Sequence, residues 1–102
     1  MKRMPPKPVQ IIKSILAQEK DHLVSMYHIS DIGLFGSVVR GEQNSRSDVD
    51  ILVDFSQRIS AFHFIDLRDE LSEKLGAKVD LVARQALKPR IGKRILSEVE
   101  YI

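Results

Sequence analysis

A Gly-Ser pair and a set of aspartates at fixed spacing are the residues of this chain best suited to chemistry. Gly36 and Ser37 are followed by ten residues and then by Asp48 and Asp50, which alternate with apolar residues in DVDILVDF. A third aspartate, Asp80, has apolar neighbours in KVDLVA. Side chains two residues apart on a strand leave the same face, so Asp48 and Asp50 can bind one ion or two adjacent ions. Asp80 can join them if its strand lies beside theirs.

These side chains favour a hard divalent cation and a phosphorylated substrate. Carboxylate oxygens suit Mg²⁺ or Mn²⁺, and the absence of cysteine and of paired histidines argues against zinc. Gly36 allows positive φ or close approach of a ligand. Ser37 is predicted to cap a short helix at residues 38–40, which would point backbone N–H groups towards an anion such as phosphate. Two ions there would activate an attacking oxygen and stabilise a leaving pyrophosphate.

Each of these signals has a structural alternative. An Asp-x-Asp in a small protein is usually a turn or a cap with solvated carboxylates, and Gly-Ser turns are common. The combination is more specific, because residue types of ordinary abundance would produce it by chance in about one in a thousand chains of this length. Like charges on one strand face also repel one another, so a purely structural strand would seldom carry them.

The hydrophobic pattern predicts the elements that position these residues. It predicts helices at about residues 8–26, 61–75 and 89–100, and strands at residues 29–35, 48–55 and 78–83. One face of the second strand is predicted to join the core and the other to be acidic. The apolar pattern of the second helix consists of Phe62, Ile65, Leu67, Leu71 and Leu75.

Composition limits the remaining possibilities. The 102 residues fit one domain, predicted to span residues 1–102, and 43% hydrophobic with 29% charged residues is ordinary for a soluble globular protein. No segment reads as a signal peptide or a membrane span, and the cytoplasm is the expected compartment. A net charge of +2 and few aromatic residues argue against nucleic-acid binding. The basic run at residues 84–94 is either a solvated helix face or a polyanion contact.

The motif Gly-Ser, ten residues, Asp-x-Asp resembles that of the DNA polymerase beta-like nucleotidyltransferases. GSVVRG and SDVDILV are similar to the minimal nucleotidyltransferase branch, which includes the MntA-type antitoxins. The resemblance covers nearly the whole chain, including KVDLV and the basic, helical close at residues 87–101. It implies a fold of the α/β (α+β) class. A small mixed β-sheet would be flanked by helices and would carry the carboxylates on neighbouring strands.

The resemblance also implies how a nucleotide would be bound. Gly36 and Ser37 would bind the β- and γ-phosphates of a nucleoside triphosphate. Arg40 and Arg46 lie nearby in the sequence and would contact phosphate, although solvated loop cations are the alternative reading of both.

The three aspartates would carry out the reaction. Asp48 and Asp50 would hold two Mg²⁺ ions, and Asp80 would bind the catalytic ion and help to take the proton from the acceptor hydroxyl. The expected activity is therefore that of an Mg²⁺-dependent nucleotidyltransferase with ATP as its substrate.

In the antitoxin branch, the resemblance implies transfer of AMP to a tyrosine hydroxyl of a HEPN-domain toxin, an all-helical ribonuclease encoded beside the antitoxin. The chain leaves no room for a helical substrate-binding domain of its own, which fits an acceptor delivered by a partner. The alternative is a non-catalytic nucleotide-binding or toxin-neutralising module that uses the last helix as its contact surface. A hetero-oligomer and a homodimer are both compatible with the sequence.

Overall fold

Four strands form the sheet on which the candidate residues lie. The computed structural model describes residues 8–42 and 48–102, and its strands are β1 (Ile29–Phe35), β2 (Val49–Phe55), β3 (Val79–Ala83) and β4 (Glu100–Tyr101). Their order in the sheet is β3-β2-β1-β4. β1 is antiparallel to β2 and β4, whereas β2 is parallel to β3, so the predicted mixed sheet is confirmed.

The helices follow the predicted pattern closely. They are α1 (Val9–Tyr27), the short α2 (Ser37–Arg40), α3 (Ala61–Leu75) and α4 (Pro89–Glu98), with a 3₁₀ turn at Arg84–Ala86. The last helix ends two residues before the predicted position, because Val99 is extended and leads into β4. β4 and the 3₁₀ turn were not predicted, since elements of two or three residues carry no readable periodicity. None of the helices in the described ranges is long and apolar enough to cross a bilayer.

The main core lies between one face of the sheet and the helices α1 and α3. Aliphatic side chains from β1, β2 and β3 meet those of the two helices, and each one fully buried contributes about 1.5–3 kcal/mol relative to exposure. The sheet and helix positions exposed by 1% or less include Ile12, Leu16, Leu23, Ile32, Leu34, Ile51, Val53, Leu67, Leu71 and Leu75.

The other face of the sheet is only partly acidic, which corrects the prediction for β2. Leu52 lies on the same face as Asp50 and is only 1% exposed, because Ile95 of α4 and Phe35 of β1 cover it. Helix α4 therefore packs on the face that carries the aspartates. It closes one side of the candidate site.

Part of the apolar pattern predicted for α3 does not reach the core. Leu67, Leu71 and Leu75 are buried, but Phe62 is 82% exposed and Ile65 is 42% exposed. At 3.6 residues per turn, these two side chains point about 140° and about 160° away from Leu67. Spacing therefore decides burial here more than hydrophobicity does.

Gly33 allows the C-terminal strand to approach β1. It pairs with Tyr101, and a Cβ at residue 33 would lie 2.7 Å from Val99 Cγ2 and 3.0 Å from the Glu100 carbonyl oxygen. These distances are shorter than side-chain packing tolerates. A side chain at this position would push β4, and with it the end of α4, away from the sheet.

We predict that Gly33→Ala lowers the free energy of unfolding by about 1–3 kcal/mol through this overpacking. Urea denaturation followed by circular dichroism measures the loss. Ser30→Ala, an exposed position in the same strand, is the control and is expected to change stability by less than about 0.5 kcal/mol. Equal stabilities of the two variants would contradict the close packing of β4.

Candidate active site

The register of the sheet brings two of the predicted site residues into one row. Phe35 at the end of β1 is paired with Asp50 of β2, and Asp50 is paired with Asp80 of β3. Gly36 follows Phe35 directly, so the Gly-Ser turn lies at the end of this row. Asp48 immediately precedes β2 and is two residues from Asp50. The sequence alone could not show that β3 is the neighbour of β2.

The turn at Gly36 has a conformation that only glycine adopts readily. Its φ is 77° and its ψ is −150°, and a Cβ on this residue would collide with Oδ2 of Asp50. Gly36 is the N-cap of α2, and its carbonyl oxygen accepts hydrogen bonds from the Val39 and Arg40 N–H groups at 3.2 Å. The prediction that the Ser37 side chain caps this helix is wrong, because Ser37 is already its first residue.

The aspartates influence one another electrostatically. The pKa of Asp50 is raised from 3.8 to about 6, first by burial and then by the negative charges of Asp80 and Asp48 and by a hydrogen bond with Asp80. The guanidinium of Arg40 acts in the opposite direction. Asp50 is partly buried, whereas Asp80 is exposed to solvent. The site is thus a row of like charges that a cation would neutralise.

The donor set fits a hard divalent cation without forming a complete cage. Within residues 8–42 and 48–102, no three His, Cys, Asp or Glu side chains form a group that could hold a metal ion. Mg²⁺ usually binds one or two carboxylates and takes its other ligands from water and substrate phosphates. Asp50 beside Asp80, with Asp48 close by, supplies all-oxygen donors of that kind. The residues therefore fit Mg²⁺ or Mn²⁺ bound together with a phosphorylated substrate.

A glutamate that sequence reasoning missed lies against the Gly-Ser turn. Glu98, the last residue of α4, accepts a hydrogen bond from the Gly36 N–H at 3.0 Å and two from Arg40 Nη1 at 3.0 and 3.2 Å. Arg40 also donates to Glu42 at 3.0 Å. Its pKa is raised by the bonds to Glu42 and Glu98. No sequence motif indicates Glu98, because only the packing of α4 brings it to the turn.

Arg46, predicted to contact phosphate, lies outside the described residues. A cavity of about 710 Å³ opens at the far end of β2, where it is lined by Phe55, Phe64 and residues around them. None of the described residues that line this cavity carries a carboxylate, so the acidic row and the cavity are separate features.

A mixed sheet with a Gly-Ser turn beside paired aspartates is the arrangement that the resemblance to the nucleotidyltransferases implied. The sequence profile of the nucleotidyltransferase domain family matches residues 12–102 of this chain. The chain belongs to this family, and the resemblance drawn from the motif is confirmed.

The chain is similar to a curated protein in sequence and to solved structures in fold. The chain is 47% identical to the protein adenylyltransferase MntA of Thermococcus cleftensis, over 89% of this chain and 92% of that protein. A solved structure described as a minimal nucleotidyltransferase aligns with a TM-score of 0.73 and 30% identity. The alignment covers 87% of this chain and 93% of that chain. A chain from the complex of tri-AMPylated Shewanella oneidensis HEPN toxin with an MNT antitoxin has a TM-score of 0.67 at 19% identity. The alignment with it covers 91% of this chain and 70% of that chain, and at this identity it shows the shared fold.

We predict that Gly36→Ala destabilises the protein more than Gly41→Ala does. Both glycines have positive φ, but their conformations differ. Gly36, at φ 77° and ψ −150°, lies in a region almost restricted to glycine, where another residue costs about 1–3 kcal/mol. Gly41, at φ 71° and ψ 20°, is left-handed helical, which costs another residue about 1–2 kcal/mol. Of the two, only a Cβ at Gly36 meets another group among the described residues, since none of their atoms lies within 4 Å of a Cβ at Gly41. Chemical denaturation should therefore show an additional loss of about 1–3 kcal/mol for Gly36→Ala. A smaller effect at Gly36 than at Gly41 would rule out the close contact with Asp50.

We predict that Asp50→Asn stabilises the metal-free protein in a pH-dependent way. Above the raised pKa of about 6, the wild-type carboxylate is charged and repelled in the folded protein, so the variant gains stability there. The gain is about 1 kcal/mol, because solvent screens part of the repulsion at this partly exposed group. It shrinks as the pH falls through 6 towards 3.8, since folded wild-type protein takes up the proton first.

Thermal unfolding in the presence of a chelator measures this difference across the pH range. Asp21→Asn on the exposed side of α1 is the control and is expected to change stability by less than about 0.5 kcal/mol. A stability difference between wild type and Asp50→Asn that is constant over pH would contradict the raised pKa.

Proposed function

We propose that this protein is a protein adenylyltransferase that transfers AMP from ATP to a HEPN-domain toxin and thereby acts as its antitoxin. The observation that carries the proposal is the row formed by the Gly36 turn, Asp50 and Asp80 across three adjacent strands. The 47% identity to a protein adenylyltransferase supports the proposed type of transfer. The fold shared with a chain from a HEPN toxin complex supports the proposed class of partner.

In this proposal the turn at Gly36 and Ser37 receives the triphosphate. The Gly36 N–H and the guanidinium of Arg40 face the same carboxylate, so they are positioned to bind one anion together. The β- and γ-phosphates of ATP would take this position, and Arg46 would add a further contact. The α-phosphate would then lie towards the aspartates.

The aspartates would hold the cation and accept the proton. Asp48 and Asp50 would bind two Mg²⁺ ions, or Mn²⁺ in their place, and Asp80 would complete the site of the catalytic ion. Bound Mg²⁺ would supply charge neutralisation for the phosphates and for the departing pyrophosphate. The pKa of Asp50 is raised by burial first and then by the charges of Asp80 and Asp48, and a bound cation would oppose both effects.

The transfer itself is a substitution at the α-phosphorus. The oxygen of the acceptor hydroxyl, which we propose belongs to tyrosine, forms a bond to the α-phosphorus while the bond to the bridging oxygen of the β-phosphate breaks. Pyrophosphate leaves with that electron pair, and Asp80 takes the proton of the hydroxyl. Close alignment of the two substrates supplies much of the rate enhancement in such reactions.

The acceptor is proposed to come from another chain. Residues 1–102 would form one nucleotidyltransferase domain, working in the cytoplasm in a hetero-oligomer with the toxin. Ile91 and Leu96 on α4 are 56% and 37% exposed, which makes this helix a suitable contact surface for the partner. The same exposure supports the second candidate function, a module that neutralises the toxin by covering it.

The test combines the purified protein, ATP, Mg²⁺ and the product of the adjacent gene, which we propose to be the HEPN-domain partner, with intact mass spectrometry of that product. We expect the partner to gain the mass of one or more AMP groups, with tandem mass spectrometry placing them on tyrosine. Asp48→Asn and Asp50→Asn should lower the rate by about a thousandfold, the effect of losing several kcal/mol of transition-state stabilisation. A chelator should stop the transfer and added Mg²⁺ should restore it.

The control variant is Asp69→Asn, which changes an exposed aspartate on α3 that is paired with Arg68. It should transfer AMP at the wild-type rate. Full activity of Asp48→Asn and Asp50→Asn would exclude the assigned carboxylates. Inactive variants that still protect cells from the toxin would favour neutralisation by binding over modification.

A further inference from the structure

Glu98 occupies the position that the proposed function gives to a phosphate group. One of its oxygens, Oε1, accepts the Gly36 N–H at 3.0 Å, and Arg40 Nη1 donates to both carboxylate oxygens at 3.0 and 3.2 Å. The Glu98 side chain is 23% exposed, so it is partly buried against the turn and Arg40. A single carboxylate thus bridges the turn and the arginine.

A phosphate oxygen and a carboxylate oxygen require the same donors. Backbone N–H groups in a turn and guanidinium groups bind both kinds of anion through charge-assisted hydrogen bonds. The Gly36 N–H carries a single hydrogen atom, which is directed at Glu98 in this structure. A triphosphate cannot receive this bond while Glu98 holds it, and the two anions also repel each other.

The main chain around Glu98 is held in place independently of this contact. Ile95, one turn earlier, is buried against Phe35 and Leu52, and the Val99 N–H donates to the Ile95 carbonyl oxygen at 3.0 Å. Glu100 follows in β4 and is paired with Lys13 of α1. A rotation of the flexible glutamate side chain is therefore sufficient to free the turn, and α4 does not have to leave the sheet.

We propose that Glu98 is an internal competitor of the nucleotide, which closes the phosphate subsite in the free protein and is displaced when the triphosphate binds. This inference rests on the proposed function, because the proposed function makes the Gly36 turn the binding site of the phosphates. When the triphosphate binds, Arg40 donates its hydrogen bonds to the phosphate and no longer to Glu98. The free protein is thereby protected from binding other anions, at the expense of nucleotide affinity.

The test is a titration of the full-length protein with inorganic tripolyphosphate without divalent cations, followed by ¹⁵N NMR at the Gly36 amide. Glu98→Gln keeps an oxygen that can accept a hydrogen bond but removes the charge, and Glu98→Ala removes the acceptor. We expect Glu98→Gln to lower the Kd about tenfold, the effect of one charge-assisted hydrogen bond, and Glu98→Ala to bind at least as tightly. In the free protein, Glu98→Ala should also shift the Gly36 amide resonance strongly upfield.

Glu100→Gln is the matched control, because it removes the same charge two residues away without touching the Gly36 turn. A Kd that stays equal or rises in both Glu98 variants would overturn the inference while the phosphate site itself stands. An equal gain in affinity for Glu98→Gln and Glu100→Gln would also overturn it, as an effect of net charge alone. If tripolyphosphate leaves the Gly36 amide unmoved in wild type and in both Glu98 variants, the proposed phosphate site fails together with the inference.

Discussion

The pairing of three strands around β2 is the constraint on which the rest of the structure depends. Because β1 is antiparallel and β3 parallel to β2, the last residue of β1 and the second residue of β3 meet Asp50 from its two sides. A shift of one residue in either pairing would turn a whole strand face towards the core. The buried side chains of α1 and α3 hold that register, so the hydrophobic core determines the geometry of the polar site.

The site is built at a cost in stability. Burial and two neighbouring aspartates raise the pKa of Asp50, which means that the folded protein disfavours the charged form needed to bind a cation. Backbone strain is added at Gly36, where a positive φ keeps the turn beside Asp50. Strain and like-charge repulsion gathered at one place are typical of functional sites. Glu98 accepts hydrogen bonds from the Gly36 N–H and from Arg40 at the same place, which adds another negative charge beside the aspartate row.

Much of the fold could be predicted from the sequence, because its helices and longer strands have clear periodicity. The bounds of β1 and α3 agree with the predicted ranges. Contacts between distant elements were harder to predict. The sequence allows Asp80 to join Asp50 only if β3 lies beside β2, and it does not show that the two strands pair. It also gives no sign that Ile95 covers Leu52.

In the candidate site, too, local features could be predicted and long-range contacts could not. The spacing of the Gly-Ser pair and the aspartates is local information, so the motif could be recognised and the family inferred. Glu98 lies 62 residues from Gly36, and no local pattern distinguishes it from the other acidic residues on the surface. Ser37 failed as a cap for a different reason, since the helix starts one residue earlier once Gly36 takes a positive φ. Long-range packing and unusual backbone geometry are therefore the features of the site that could not be predicted from the sequence.

The most direct test of the central claim is a crystal structure of the protein with Mn²⁺ and a non-hydrolysable ATP analogue, with anomalous scattering used to locate the metal. We expect anomalous peaks at the carboxylates of Asp48, Asp50 and Asp80, with the β- and γ-phosphates on the Gly36–Ser37 turn. A nucleotide bound in the cavity near Phe55 and Phe64, with no Mn²⁺ at the aspartates, would contradict it.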